Sequence, residues 1–242
     1  MKYKFIPAIV VMLVLVFISN LLTVEAKSSK PKVREYALAA KDVKETREEL
    51  VYEKLNPNEF SLPKLTVFTE ALKGFNQLKE KGLISKDILT VIDFSMSSNT
   101  NRLWVIDLSS NTILFNTLVA HGKNTGDEFA TSFSNISSSF KSSLGFYATG
   151  EIYIGKHGKS LRLDGLEKGI NSNARDRAVV IHGADYVSQS FIRNNKRLGR
   201  SLGCPAIPLA LTNEIIRTIK DKSCLFIYYP SNGYKVASRL VS

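Results

Sequence analysis

Cysteine is nearly absent from this 242-residue sequence, which holds 2 of them, Cys204 and Cys224. A disulfide-stapled mini-protein is therefore excluded, and the chain is long enough to bury a core without staples. Histidine is equally scarce, with 3 residues. No His-Glu-x-x-His, no Cys-x-x-Cys and no glycine-rich phosphate loop occurs, so the usual zinc and nucleotide frameworks are missing. The chemistry expected here needs no metal and no cofactor. Acidic residues are the minority, 22 against 33 lysines and arginines, giving a net charge of +11. No internal repeat is visible, and residues 5–24 form the one long apolar run.

That run follows Lys2 and Lys4 and ends at Val24-Glu25-Ala26. Positive charge, apolar stretch and small-residue boundary are the layout of an export leader over residues 1–26. Its length also suits an uncleaved anchor in the inner membrane. Either way the remainder is expected outside the cytoplasm, in the periplasm or cell wall, with the N-terminal segment as its only membrane contact. A basic exported chain favours anionic partners such as wall polymers. Nucleic acid is not expected, because the positive charge is dispersed and the chain leaves the cytoplasm. Export also permits a Cys204–Cys224 disulfide. The competing reading is one reactive thiol and one buried apolar one, since Cys224 lies in Ser223-Cys224-Leu225-Phe226-Ile227, a run that reads as an interior strand.

Residues 27–60 read as a tether with a charged helical segment, broken at Asn56-Pro57-Asn58. Within 61–88, Leu65, Phe68, Leu72, Phe75 and Leu78 recur at helical spacing. Ser61 and Pro63 mark the start of that packing helix and Gly82 its end. Residues 89–242 form the main domain. Runs 89–94, 103–108, 113–119, 146–154, 178–181 and 225–229 are rich in β-branched and aromatic residues, separated by turn formers. A further helix is expected near 209–220. The fold class is mainly β with α additions (α+β), a largely antiparallel β-sandwich or barrel preceded by a short helical segment.

Two features carry chemistry. His182-Gly183 ends the apolar strand 178–181, where a sheet holds a ring rigidly at the edge of a loop. Ser201-Leu202-Gly203-Cys204-Pro205 follows later in the chain. A thiolate nucleophile with an imidazole partner performs acyl transfer. Gly203 permits close backbone approach, and the N–H groups of Gly203 and Cys204 are candidates for an oxyanion hole. A helix after Pro208 would favour the thiolate if its N-terminus points at the turn. Arg162, Lys156 and Lys159 are candidate carboxylate binders, as are Arg197 and Arg200 just before the cysteine. Tyr147, Tyr153 and Tyr186 either line a cleft or pack in the sheet, with packing favoured for Tyr153.

His182-Gly183 followed by Ser201-x-Gly203-Cys204 resembles the signature of the L,D-transpeptidase catalytic domain. The runs Leu103-Trp104-Val105-Ile106-Asp107-Leu108, Ala120-His121-Gly122-Lys123-Asn124, Ser143-Leu144-Gly145-Phe146-Tyr147 and Ile181-His182-Gly183-Ala184-Asp185-Tyr186 extend the likeness to the murein L,D-transpeptidase branch, as does Gly155 through Glu167. The resemblance implies a peptidoglycan stem-peptide substrate and a Cys204 thioester. It makes His182 the acid/base, and a backbone carbonyl at Gly183 or Ser201 the group that orients its ring. The acyl acceptor would be another stem, a protein amine, a D-amino acid or water. Arg162, Arg200, Tyr147 and His121 are the expected substrate contacts. Two departures stand out: Leu202 replaces a histidine usual before Gly-Cys, and Pro205-Ala206 follows the cysteine. The alternatives are another wall cysteine enzyme, such as an endopeptidase or sortase, or a non-catalytic wall-binding protein with a Cys204–Cys224 bridge.

Overall fold

Alternating apolar side chains build one sheet, and its edges nearly meet. The structure is a computed structural model that describes residues 45–156 and 158–241. The expected leader, most of the tether and His157 lie outside the described residues. Among the described residues no helix is long and apolar enough to cross a membrane.

The helices are α1 (Arg47–Glu53), α2 (Leu65–Glu80), α3 (Gln189–Asn195), α4 (Leu209–Ile219) and α5 (Asn232–Ala237). The strands are β1 (Ile88–Asp93), β2 (Leu103–Asp107), β3 (Thr112–Thr117), β4 (Gly145–Gly155), β5 (Gly158–Gly165), β6 (Val180–Ala184), β7 (Ala206–Pro208) and β8 (Cys224–Tyr228). They form a single sheet in the order β3-β2-β1-β8-β4-β5-β6-β7. The sheet is largely antiparallel, as expected, in five of its seven strand pairings; β1 with β8 and β6 with β7 run parallel. A long crossover carrying α3 joins β6 to β7, and α4 lies in the separate connection from β7 to β8.

β1 and β8 are buried on both faces, which explains their nearly continuous apolar sequence. Helix α2 lies against both strands and buries Val67, Phe68, Ala71, Leu72, Phe75 and Leu78. It begins one residue after Lys64, and Gly82 takes a positive φ of 67° just past its end. Helix α4 buries Ile215, Ile216 and Ile219 and meets β1, β5, β6 and β7. Two strands lacked a clear apolar signal. In β5, Lys159, Arg162 and Asp164 interrupt the buried Ser160, Leu161 and Leu163, and β7 is a three-residue segment ending in proline.

Closure occurs beyond β3. Ala120 donates to the Ala206 carbonyl at 2.8 Å and accepts from the Ala206 N–H at 3.3 Å. Gly122 then pairs with Ser201. These bridges tie one edge of the sheet to the other and give a nearly closed barrel.

Arg102 fills the seam with a fully buried guanidinium. It donates to the carbonyls of Met96 (2.7 Å) and Val119 (3.0 Å) and to His121 Nδ1 (2.8 Å). Its charge also sits 4.9 Å from the centre of the Phe94 ring. Arginine can only donate, so Nδ1 is the acceptor and His121 carries its proton on Nε2, which donates to the Gly126 carbonyl at 3.2 Å. Burial, reinforced by the Arg102 charge, pushes the His121 pKa down to about 4. His121 is thus a buried neutral ring, not the substrate contact expected from the sequence.

The unfolded chain protonates His121 near pH 6.5, whereas the folded protein does so near pH 4. Between those values the unfolded state binds more protons, so stability is full above the window and falls as the pH drops through it. The slope is about 1.4 kcal/mol per pH unit, and His121→Gln removes it. Urea midpoints from pH 7.5 to 4.5 measure the effect. Equal slopes in both proteins would contradict this protonation state.

Candidate active site

The turn carrying Cys204 is held on every side by short polar contacts. Ser201 donates its N–H to the His121 carbonyl at 3.0 Å, and Lys123 donates to the Ser201 carbonyl at 2.8 Å. The Ser201 hydroxyl donates to the Cys204 carbonyl at 2.6 Å and accepts from the Gly203 N–H at 3.0 Å. Serine at this position therefore spans the turn from both ends. Gly203 takes a φ of 131°, a region that side chains other than glycine rarely adopt. Its carbonyl accepts from Ser142 Oγ at 2.9 Å, and the same hydroxyl accepts from the Gly122 N–H. A Cβ on Gly122 would lie 2.9 Å from Gly203 Cα, so the two glycines let two backbones touch. Since its N–H is already engaged by Ser201, Gly203 does not offer the oxyanion donor that the sequence suggested. Its observed contribution is the backbone shape.

His182 sits on β6, opposite Ser160 on β5 and Ala206 on β7. Its Nδ1 donates to the Gly183 carbonyl at 3.0 Å. A carbonyl only accepts, so the neutral ring carries its proton on Nδ1 and Nε2 is the basic nitrogen. Of the two orienting carbonyls considered, Gly183 supplies the contact. Gly183 also admits helix α4, because a Cβ there would meet Thr212 Oγ1 at 2.2 Å.

Cys204 is half-buried, and its thiol faces the Ala178 carbonyl at 3.7 Å. Burial pushes its pKa up, while the Val180 N–H and the Arg177 charge pull in the opposite direction. The burial effect is the larger, so the resting group is a thiol that needs a base.

Cys204 and His182 line one cleft of about 390 Å³. Its charged walls are Lys156, Arg177 and Arg200, with no carboxylate among the lining residues. Tyr153 and Tyr186 supply aromatic walls, and Leu202, 57% exposed, stands at the rim. Burial pushes the Tyr186 pKa up to about 12, so its hydroxyl stays protonated.

The structure distributes the other expected contacts differently. Arg200 reaches the cleft, braced by Asp127 and by the Gly126 carbonyl at 3.2 Å. Arg162 stands behind the wall, 4.5 Å from the Tyr153 ring centre and paired with Glu151 at 3.0 Å. Tyr147 is fully buried and donates to the Ser143 carbonyl at 3.0 Å, so it packs in the core and does not line the cleft. Tyr153, expected to pack, lines the cleft instead. The two tyrosines have the same parity along β4. A register shift between Thr149 and Ile152 inserts one extra residue and moves Tyr153 to the other face. Both cysteines are free and Cys224 is buried in β8, so the expected alternative of a Cys204–Cys224 bridge is not realised.

Sequence reading missed Arg177. Its Nη1 donates to the Ser134 carbonyl (2.8 Å) and to Ser143 Oγ, and its Nη2 to the Lys141 carbonyl (2.6 Å). It thereby clamps residues 134–143, whose Lys141 carbonyl lies against Gly203. The only signal was its place just before strand β6.

A family model described as the L,D-transpeptidase catalytic domain matches residues 61–228. Solved structures with a similar fold include an L,D-transpeptidase from Mycobacterium smegmatis, at 12% identity and TM-score 0.37 over 59% of each chain. The helical cell shape determining protein Pgp2 (K307A mutant) from Campylobacter jejuni matches at 13% identity and TM-score 0.41, over 74% of this chain and 62% of that one. An L,D-transpeptidase from Stackebrandtia nassauensis matches at 11% identity and TM-score 0.35, over 69% and 68%. The chain spans about 60% of the length of the first of these solved relatives. A search of curated proteins finds no match. The family model covers well over half of the sequence, and the chain belongs to the L,D-transpeptidase catalytic domain family.

Proposed function

We propose that this chain is an exported cysteine acyltransferase acting on peptidoglycan stem peptides, with Cys204 as nucleophile and His182 as acid/base. The observation that carries the reading is the shared cleft, in which a thiol and an imidazole with its basic nitrogen at Nε2 meet three cations and no carboxylate. His182 Nε2 takes the Cys204 proton as Sγ attacks the carbonyl between the diamino acid and the terminal D-alanine. The C–N bond then breaks, the imidazolium returns the proton to the departing D-alanine amine, and a thioester remains on Cys204. An amine or water attacks the thioester and restores the thiol. Lys156, Arg177 and Arg200 suit a substrate rich in carboxylates. The leader-like residues 1–26 support delivery to the periplasm or wall.

Incubation with tetrapeptide muropeptides tests the assignment by mass spectrometry. Wild type is expected to release D-alanine and Cys204→Ala to release none; equal release from both would rule out the nucleophile. His182→Ala should lower kcat by about 10²- to 10⁴-fold. Retention of wild-type kcat would remove His182 from the reaction. Arg200→Gln should raise KM by about tenfold, the equivalent of losing roughly 1.4 kcal/mol of charge-assisted binding. An unchanged KM would take Arg200 out of substrate recognition.

A further inference from the structure

Two buried groups outside the cleft connect directly to the turn that holds Cys204. Arg102 donates to His121 Nδ1 at 2.8 Å, and His121 Nε2 donates to the Gly126 carbonyl at 3.2 Å. That carbonyl also accepts from Arg200, a cleft residue. The His121 backbone carbonyl meanwhile accepts from the Ser201 N–H, and the Lys123 N–H donates to the Ser201 carbonyl. Ser201 closes the turn through the Cys204 carbonyl at 2.6 Å. One polar path therefore runs from the barrel seam to the backbone of the proposed nucleophile.

A buried cation facing a neutral imidazole is an expensive way to fill space. An apolar pair of similar volume would spare the cost of desolvating a charge, at the expense of the Met96 and Val119 carbonyls that Arg102 satisfies. What the polar pair adds is direction: fixed donors and acceptors allow the His121 ring one orientation, and its backbone carries Ser201. Catalysis is sensitive to such placement, since a misplacement of about 1 Å can cost about 100-fold in rate.

We propose that Arg102 and His121 are positioning residues that hold the Ser201–Cys204 turn in its reactive geometry without touching substrate. The inference rests on the reading of Cys204 as nucleophile. His121→Gln keeps an acceptor for Arg102 and a donor for Gly126 on a side chain of similar reach. His121→Leu removes both, and the double change Arg102→Met with His121→Leu supplies an apolar pair that relieves the stranded cation.

Three readouts separate positioning from mere packing: the melting temperature, the pH profile of Cys204 alkylation by iodoacetamide, and kcat and KM for D-alanine release. Cys224 is buried and does not compete for the reagent. The double variant, which leaves the Met96 and Val119 carbonyls without a donor, is expected to melt below wild type yet to stay folded at the assay temperature, and to lose about 10- to 100-fold in kcat with KM kept within about twofold. Its alkylation profile should depart from that of wild type by about half a pH unit or more, because a displaced thiol changes its burial, the largest influence on it, together with the Val180 N–H and the Arg177 charge. His121→Gln should restore both readouts to within about threefold. If His121→Leu fails to fold, the double variant alone decides. A folded double variant with wild-type alkylation and kcat would overturn the proposal. If wild type releases no D-alanine, the stem-peptide reading fails by itself, and the alkylation profiles still decide the positioning role.

Discussion

Two hydrogen bonds between Ala120 and Ala206 join the edges of the sheet, and the proposed chemistry depends on that seam. β7 is only three residues long and would be a frayed edge if it paired with β6 alone. Paired on both sides, it becomes part of a nearly closed barrel and fixes where Pro205, and therefore Cys204, leaves the sheet. His182 is held by the same strand, because its register partner on β7 is Ala206. The proposed nucleophile and base are thus spaced by backbone geometry, with little left to side-chain freedom.

The seam also explains why the surrounding residues are small or polar. Gly122 and Gly203 allow two backbones to approach within contact distance, and Ser142 and Ser201 satisfy the peptide groups exposed there. Larger residues would push the turn off the barrel, and apolar ones would strand buried donors and acceptors. Arg177 works from the opposite side: it binds residues 134–143 over Gly203 and brings a positive charge toward the thiol. The resulting cleft has cationic walls and no negative charge among its lining residues, which accords with an overall +11 chain.

Much of this was legible in the sequence. Runs of β-branched residues located six of the eight strands, and helical spacing located α2 and α4. Cys204 and His182 stood out because few other groups were available for covalent chemistry. The remaining features depended on contacts distant along the chain. Arg102 lies in an ordinary polar stretch, and its burial follows only from sheet closure. Arg177 matters through a loop some 40 residues earlier in the chain, in the way that Ser134 is bound to it. Tyr147 and Tyr153 exchanged roles because a bulge alters parity, and a period-two reading has no means of seeing an inserted residue.

The central claim is that a stem peptide becomes covalently attached to Cys204. Acid-quenched reactions with a tetrapeptide stem, followed by intact-protein and peptide mass spectrometry, measure this directly. The account predicts an adduct on the peptide containing Cys204, with the mass of the stem lacking its terminal D-alanine, that hydroxylamine removes. A turning-over enzyme with an unmodified Cys204, or with the adduct on any other residue, would contradict it.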